Sequence, residues 1–297
     1  MKILECVPNF SEGRDAEKVE SIVEEVRQTS GVKLLDYFSD PDHNRSVVTF
    51  IGDPEAVKQA ALKASLKALK LIDMRTHTGG HPRLGAVDVV PFVPIRGMEM
   101  EEAAGIAQQF GREFGERGEV PVYFYGEAAT DPRRKKLADI RKGEYEGFPE
   151  KLSIPGWEPD AGVRTFNSRS GATVTGARFP LIAFNVNLRT QNLEFAKRVA
   201  GKIRESSGGI PSVQALGVDL KERGMVQVSM NLTNYRMASI PRVVEFIREE
   251  AHAAGVEIAE TELVGLLPLE ALEDVVREYL KMSDFDSRQV IETHLLE

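Results

Sequence analysis

Val213-Gln214-Ala215-Leu216-Gly217-Val218-Asp219-Leu220-Lys221-Glu222-Arg223-Gly224-Met225-Val226-Gln227-Val228-Ser229-Met230-Asn231-Leu232 reads as two strands, Val213 to Leu220 and Met225 to Leu232, folded back on the turn Lys221 to Gly224. Strands this close in sequence pair antiparallel, because a parallel pair needs a crossover of about a dozen residues or more. Upstream of the hairpin, Pro180 to Leu188 is a strand and Asn192 to Ser206 a helix. Downstream, Pro241, after Ser239, opens a helix that runs to Ala254, and Val256 to Leu267 is a closing strand. The order β-α-β-β-α-β is the split βαβ, or ferredoxin-like, arrangement. Terminal helices are expected from about Leu269 and from Ser287.

The first half follows the same logic. Lys2 to Val7 is a strand closed by Pro8, and Asn9 to Gly13 reads as a turn. Asp15 stands at an N-cap position. Val19, Ile22, Val23 and Val26 then recur at helical spacing until Gly31 stops the helix. Strands Val32 to Phe38 and Arg45 to Gly52 flank the polar turn Asp40 to Asn44. Asp53-Pro54-Glu55 starts a helix that reaches about Met74, and Ala86 to Pro94 is the next strand. A helix from Glu99 to Gly118, a strand from Pro121 to Tyr125 and short surface helices within Asp131 to Leu152 are added to this unit. Ile154 to Gly162 is irregular, and Val163 to Arg178 continues with little apolar content. The expectation is an α+β fold of two ferredoxin-like subdomains, residues 1–178 and 179–297, the first with an added helix–strand unit.

Composition narrows the function classes. With 42% hydrophobic and 28% charged residues the chain reads as a soluble globular protein. No apolar run approaches the roughly 20 residues of a membrane span, and no signal-peptide pattern opens the chain, so a cytoplasmic protein is expected. The single cysteine, Cys6, excludes an intrachain disulfide and a cysteine metal cage. A net charge of -8 argues against nucleic acid as partner. Neither a Gly-x-Gly-x-x-Gly turn between strand and helix nor a P-loop is present.

Chemistry concentrates in Thr76-His77-Thr78-Gly79-Gly80-His81-Pro82-Arg83-Leu84-Gly85-Ala86-Val87-Asp88. Glycines let the backbone approach a ligand closely or take positive φ, and histidine can take and give a proton near neutrality. His77 and His81 have the i, i+4 spacing of a helical metal pair, but Gly79-Gly80 and Pro82 make a helix there unfavourable. The nearest candidate for a third ligand is Asp88 on the next strand, but no complete ligand set can be named, so no metal is expected. Arg45, Arg75, Arg83, Arg164, Arg169 and Arg178 lie in or beside loops, where the guanidinium fork suits a carboxylate ligand. His43 reads as a turn residue, and His252 and His294 as surface residues.

Several blocks resemble the glutamate formimidoyltransferase family: Glu5 to Gly13, His77-x-x-x-His81-Pro82-Arg83-x-Gly85-Ala86-x-Asp88, and Pro121 to Ala128. Ile140-Arg141-x-Gly143-Glu144-Tyr145-Glu146, Gly171 to Arg178 and Leu263 to Leu266 belong to the same resemblance, which runs from Met1 to about Lys281. The chain is similar to the formimidoyltransferase half of formimidoyltransferase-cyclodeaminase. It is expected to have the transfer activity alone.

The resemblance implies transfer of a formimino group from N-formimidoyl-L-glutamate to tetrahydrofolate in histidine degradation, by a homodimer; the chemistry of the transfer itself requires no metal. It implies His81 as the catalytic histidine and a folate-binding segment of Gly162, Val163, Arg164, Thr165, Phe166, Asn167, Ser168, Arg169, Ser170 and Gly171. Asn9, Asp36, Asp42, Arg45 and Arg83 are candidate substrate-binding residues. Phe38 stands where members of the family can place an acidic residue, so Asp36, Asp40 or Asp42 would have to take its part. Because the folate segment holds few apolar side chains, its backbone N–H groups and arginines are expected to gain partners only when folate is bound. A related enzyme using 5-formyltetrahydrofolate and a folate-binding protein without turnover are the alternatives. An intact His81 argues against the second.

Overall fold

In a computed structural model, which describes residues 1–295, the chain divides into two compact units, Met1–Arg178 and the remainder from Phe179. The second unit is built from β8 (Ile182–Leu188), α6 (Leu193–Ile203), β9 (Val213–Leu220), β10 (Met225–Leu232), α7 (Ile240–Ala253) and β11 (Ile258–Val264). Its sheet runs β11-β8-β10-β9 with every pairing antiparallel, the ferredoxin-like order. The hairpin register pairs Met225 with Leu220 and Leu232 with Val213. In β10, Val226, Val228, Met230 and Leu232 are buried and share a core with Phe195, Val199, Val243 and Ile247 of α6 and α7. The Asn192 and Ser239 side chains accept from the backbone N–H of Phe195 and Arg242, capping those two helices. A terminal helix, α8 (Leu269–Tyr279), follows. The helix expected from Ser287 is instead a pair of 3-10 turns, Ser287–Gln289 and Ile291–Leu295. Asp286 caps the first turn, and Val290 leaves it in extended conformation, which stops propagation.

The first unit contains β1 (Ile3–Cys6), β2 (Asn9–Phe10), α1 (Ala16–Arg27), β3 (Val32–Asp40), β4 (Arg45–Gly52), α2 (Pro54–Leu71) and β5 (Val87–Arg96). The added part is α3 (Met100–Gly118), β6 (Val122–Gly126), α4 (Leu137–Arg141), α5 (Glu144–Leu152) and β7 (Thr173–Ala177). β1 and β2 both lie between β4 and β5, and β3 closes one edge by pairing with β4. The turn expected at Asn9–Gly13 is thus corrected at its start. Pro8 removes one donor, but Asn9 still pairs with Val47 and Val89.

Beyond β5 the sheet continues through β7 to β6, both pairings parallel. β7 has no apolar run, yet all five of its residues are buried. Its hydroxyls have partners: Thr173 Oγ1 donates to the Val87 carbonyl at 2.7 Å and Thr175 Oγ1 to that of Val90 at 2.9 Å. Gly176 is required, since a Cβ there would lie 2.2 Å from the Tyr125 carbonyl oxygen. The main core of this unit gathers Phe10, Val23, Phe50, Leu62, Phe92, Phe110 and Phe114 from its strands and from α1, α2 and α3. Each such side chain contributes about 1.5–3 kcal/mol by leaving water. A separate cluster of Tyr123, Tyr125, Ile140, Phe148 and Val174 joins α4 and α5 to the added strands.

Candidate active site

The β3–β4 turn and the segment between α2 and β5 are fastened together, and this fixes His81. The Asp40 carboxylate accepts from the backbone N–H of Asp42 and of His43, both at 3.0 Å, which closes the turn. Asn44 leaves it at φ 49, in the left-handed region asparagine tolerates. The Asn44 Oδ1 accepts from Gly13 N–H and its Nδ2 donates to the Thr78 carbonyl, each at 3.0 Å. His77 Nε2 donates to the Asn44 carbonyl at 3.0 Å, and Gly80 N–H to that of Asp42 at 3.2 Å. A Cβ on Gly79 would lie 2.3 Å from the His43 carbonyl oxygen, and one on Gly85 2.4 Å from those of Ser170 and Ala172. The glycines therefore admit neighbouring backbone, and none of Gly79, Gly80 and Gly85 has positive φ.

That clamp sets His81 against Arg45, the first residue of β4, with Arg45 Nη1 2.5 Å from His81 Nε2. A guanidinium only donates, so Nε2 accepts and the ring is neutral with its proton on Nδ1. Burial first, then the charges of Arg45, Arg141 and His43, push the His81 pKa down to about 3, with Asp40 pulling the other way. The His43 ring stands edge-on to His81 with centroids 6.2 Å apart, and its Nδ1 meets Asp40 Oδ2 at 2.5 Å.

Arg141, at the end of α4, enters the site through Asp88 of β5. Asp88 is 1% exposed; its Oδ1 accepts from Leu84 N–H at 2.9 Å and its Oδ2 pairs with Arg141 Nη2. Nε of Arg45 and Nε of Arg141 are both buried without a hydrogen-bond partner among the described residues.

Arg83 points elsewhere. Its buried guanidinium pairs with Glu144 at 3.0 Å and Glu146 at 2.6 Å, and its Nε donates to His77 Nδ1 at 3.3 Å. These side chains border a cavity of about 490 Å³ that His77, Thr78 and Gly79 also line. His77 and His81 thus serve different partners, and among the described residues no group of three His, Cys, Asp or Glu is placed to hold a metal ion.

Residues 3–178 match the family described as "Formiminotransferase domain, N-terminal subdomain", and residues 183–294 match "Formiminotransferase domain". The chain belongs to the formiminotransferase family. A glutamate formimidoyltransferase of Streptococcus pyogenes serotype M1 is 44% identical over 296 residues, which cover 99% of each chain. One from Thermoplasma acidophilum is 45% identical over 98% of this chain and 97% of its own. The Rattus norvegicus formimidoyltransferase-cyclodeaminase is 46% identical over 94% of this chain and 52% of that longer protein.

The segment that the formiminotransferase resemblance assigns to folate does not wait for a ligand to find its backbone partners. Asn167 Oδ1 accepts from the N–H of Arg169 and of Ser170, and Gly171 N–H donates to the Asn167 carbonyl at 2.7 Å. The carbonyls of Arg169 and Ser170 accept from Met74 and Ala86 N–H, both at 2.8 Å, joining the segment to the His81 loop. This corrects the expectation drawn from its low apolar content: Asn167 and the adjoining loop supply polar partners instead of apolar burial. Gly162 and Gly171 have φ of 76 and 68, and Phe166 packs against Tyr145 and Phe148. Arg169 Nη2 donates to the Lys70 carbonyl at 2.9 Å, while Arg164 is exposed and makes no hydrogen bond among the described residues.

Of the candidate substrate residues of this formiminotransferase, Arg45 alone contacts His81. Asn9 donates to the Val7 carbonyl at 3.0 Å, Asp36 is exposed opposite Thr49, and Asp42 contributes its carbonyl to Gly80. Among Asp36, Asp40 and Asp42, Asp40 is the one that stands among the leading influences on the His81 pKa, raising it. Arg141 and the pairing role of Asp88 escaped the sequence reading. Their one signal was that both fall in the blocks carrying the family resemblance.

Proposed function

We propose that this chain transfers the formimino group of N-formimidoyl-L-glutamate to tetrahydrofolate, giving glutamate and 5-formimidoyltetrahydrofolate. The observation that carries the reading is the match over nearly the whole chain to two glutamate formimidoyltransferases. N5 of tetrahydrofolate attacks the amidine carbon of the donor and forms a tetrahedral intermediate. A base must then take the N5 proton and an acid must protonate the departing glutamate nitrogen. His81 is the group assigned both tasks, because its neutral imidazole presents Nε2 as an acceptor. Asp40 takes the part of the acid missing at Phe38, acting through His43 and the field at His81. Gly162 to Gly171 is assigned to folate and Arg45 to the donor, and tetrahydrofolate is the co-substrate. No metal is assigned a role, and a homodimer in the cytoplasm completes the reading.

A turnover assay with tetrahydrofolate and N-formimidoyl-L-glutamate tests it, run with and without a chelator. Formation of 5-formimidoyltetrahydrofolate in both is the expected result. Turnover of 5-formyltetrahydrofolate alone, or folate binding without any transfer, would replace this reading by one of its alternatives.

A further inference from the structure

Arg45 is a half-buried cation whose one side-chain hydrogen bond among the described residues goes to a neutral imidazole. Its Nε–H is shut away from water without an acceptor, and so is the Nε–H of Arg141. Buried donors are nearly always paired in folded proteins, and two orphans on neighbouring guanidinium groups point to an acceptor that the protein itself does not supply. The charges facing Arg45 are Arg141, Asp88 and Asp40. Asp88 is committed to Arg141 and Leu84 N–H, and Asp40 to the turn and His43. Neither hydrogen-bonds Arg45, so the pair is short of one carboxylate.

We propose that Arg45 and Arg141 form the subsite for a carboxylate of the glutamate-type donor, and that its arrival draws Arg45 off His81 Nε2 and so releases the base. The assignment rests on the transfer reaction proposed above and adds Arg141 and an order of events to it. In this structure Arg45 blocks the Nε2 lone pair by direct donation and opposes a second positive charge on the ring. A carboxylate bound by the arginine fork withdraws the hydrogen bond and cancels the repulsion in one step. His81 can then accept the N5 proton only when the donor is seated. Folate also ends in a glutamate, but its carboxylates lie beyond the aminobenzoyl ring from N5. A carboxylate beside the histidine that serves N5 therefore comes from the donor.

The test follows the His81 imidazole by NMR in the full chain, with its signal assigned by comparison with His81→Gln. Titration with L-glutamate should raise the His81 pKa by more than about one unit, and Arg45→Ala should raise it without ligand and abolish the further shift. Arg141→Gln should weaken L-glutamate binding at least about tenfold, as expected when a charge-assisted fork is lost. Arg141→Lys keeps the charge opposite Asp88 and should weaken it similarly if the fork, and not folding, is what matters. A His81 signal indifferent to L-glutamate, or undiminished L-glutamate binding in both Arg141 variants, overturns the proposal. So does tighter binding of N-(4-aminobenzoyl)-L-glutamate than of L-glutamate at this site, which would give the subsite to the folate tail. Failure of the transfer assay with these responses intact would sink the reaction and leave the subsite standing. Transfer without them would do the reverse.

Discussion

His77 and His81 carry the same imidazole four residues apart, and their partners separate them. His77 is held at both nitrogens, Nε2 by the Asn44 carbonyl and Nδ1 by Arg83, so it serves to tie the loop to the turn. His81 accepts at Nε2 from a single arginine. His81→Ala should therefore lower kcat by about 100- to 10,000-fold, the usual range for a lost proton carrier, with folate binding little changed. His77→Ala should lower kcat less and cost about 1–3 kcal/mol of stability through the unpaired Asn44 carbonyl and Arg83 Nε. Steady-state kinetics beside denaturant curves separate the two, and a larger kcat loss for a folded His77→Ala would reverse the assignment. Acid stability gives a second check. The ordinary histidine pKa of 6.5 falls to about 3 in the folded site, so the unfolded chain takes the proton first. Stability is then complete above the ordinary value and falls as pH drops toward the folded one. His81→Asn should lose less stability than the parent on going from about pH 7 to about pH 4.5, and equal losses would argue against a buried neutral ring.

Among the elements, the turn after β3 and the loop before β5 act as one piece. Gly79→Ala would drive a methyl group into the His43 carbonyl, 2.3 Å away, and neither backbone can give without opening the Asn44–Thr78 and Gly80–Asp42 bonds. The expected cost is about 1–3 kcal/mol, with a fall in kcat as His81 leaves its register with Arg45. A melting curve and a kcat measurement unchanged from the parent would show that the clamp does not position His81. The folate-assigned segment makes a different prediction because its two arginines are anchored differently. Arg164→Ala should leave the unliganded protein within about 0.5 kcal/mol and reduce the melting shift caused by folate. Arg169→Ala should also lower unliganded stability by about 0.5–1.5 kcal/mol, since it removes the bond to the Lys70 carbonyl. Equal folate-induced shifts in the parent and both variants would remove the arginines from the folate site.

At the scale of the whole molecule, the parts legible in the sequence are those whose side-chain pattern and turn chemistry agree. The Val213–Leu232 hairpin, the helices capped by Asp15, Asp53 and Ser239, and the repeated βαββαβ order all come from local signals. β7 was not legible because threonine and glycine fill a buried strand there, with hydroxyls bonded to β5 and no room for a Cβ. The Arg45–His81–Arg141–Asp88 group was hidden for a related reason. Its members come from β4, the loop before β5, α4 and β5, and only the folded sheet brings them together. All of them, and the folate-assigned segment, lie within Met1–Arg178. The clusters built on Phe50 and Phe110 and on Tyr123 and Phe148 also draw only on residues of that unit, while the cluster around Val228 draws only on the other. A unit of this size buries roughly 70% of the surface its unfolded chain exposes, enough for an independent core. Residues 1–178 expressed alone should therefore unfold in one cooperative transition and keep the depressed His81 pKa, because every charge that lowers it is present in the fragment. Calorimetry and the NMR titration of His81 read the two properties separately. A cooperative fragment with an ordinary histidine pKa would mean that the field at His81 depends on residues beyond Arg178.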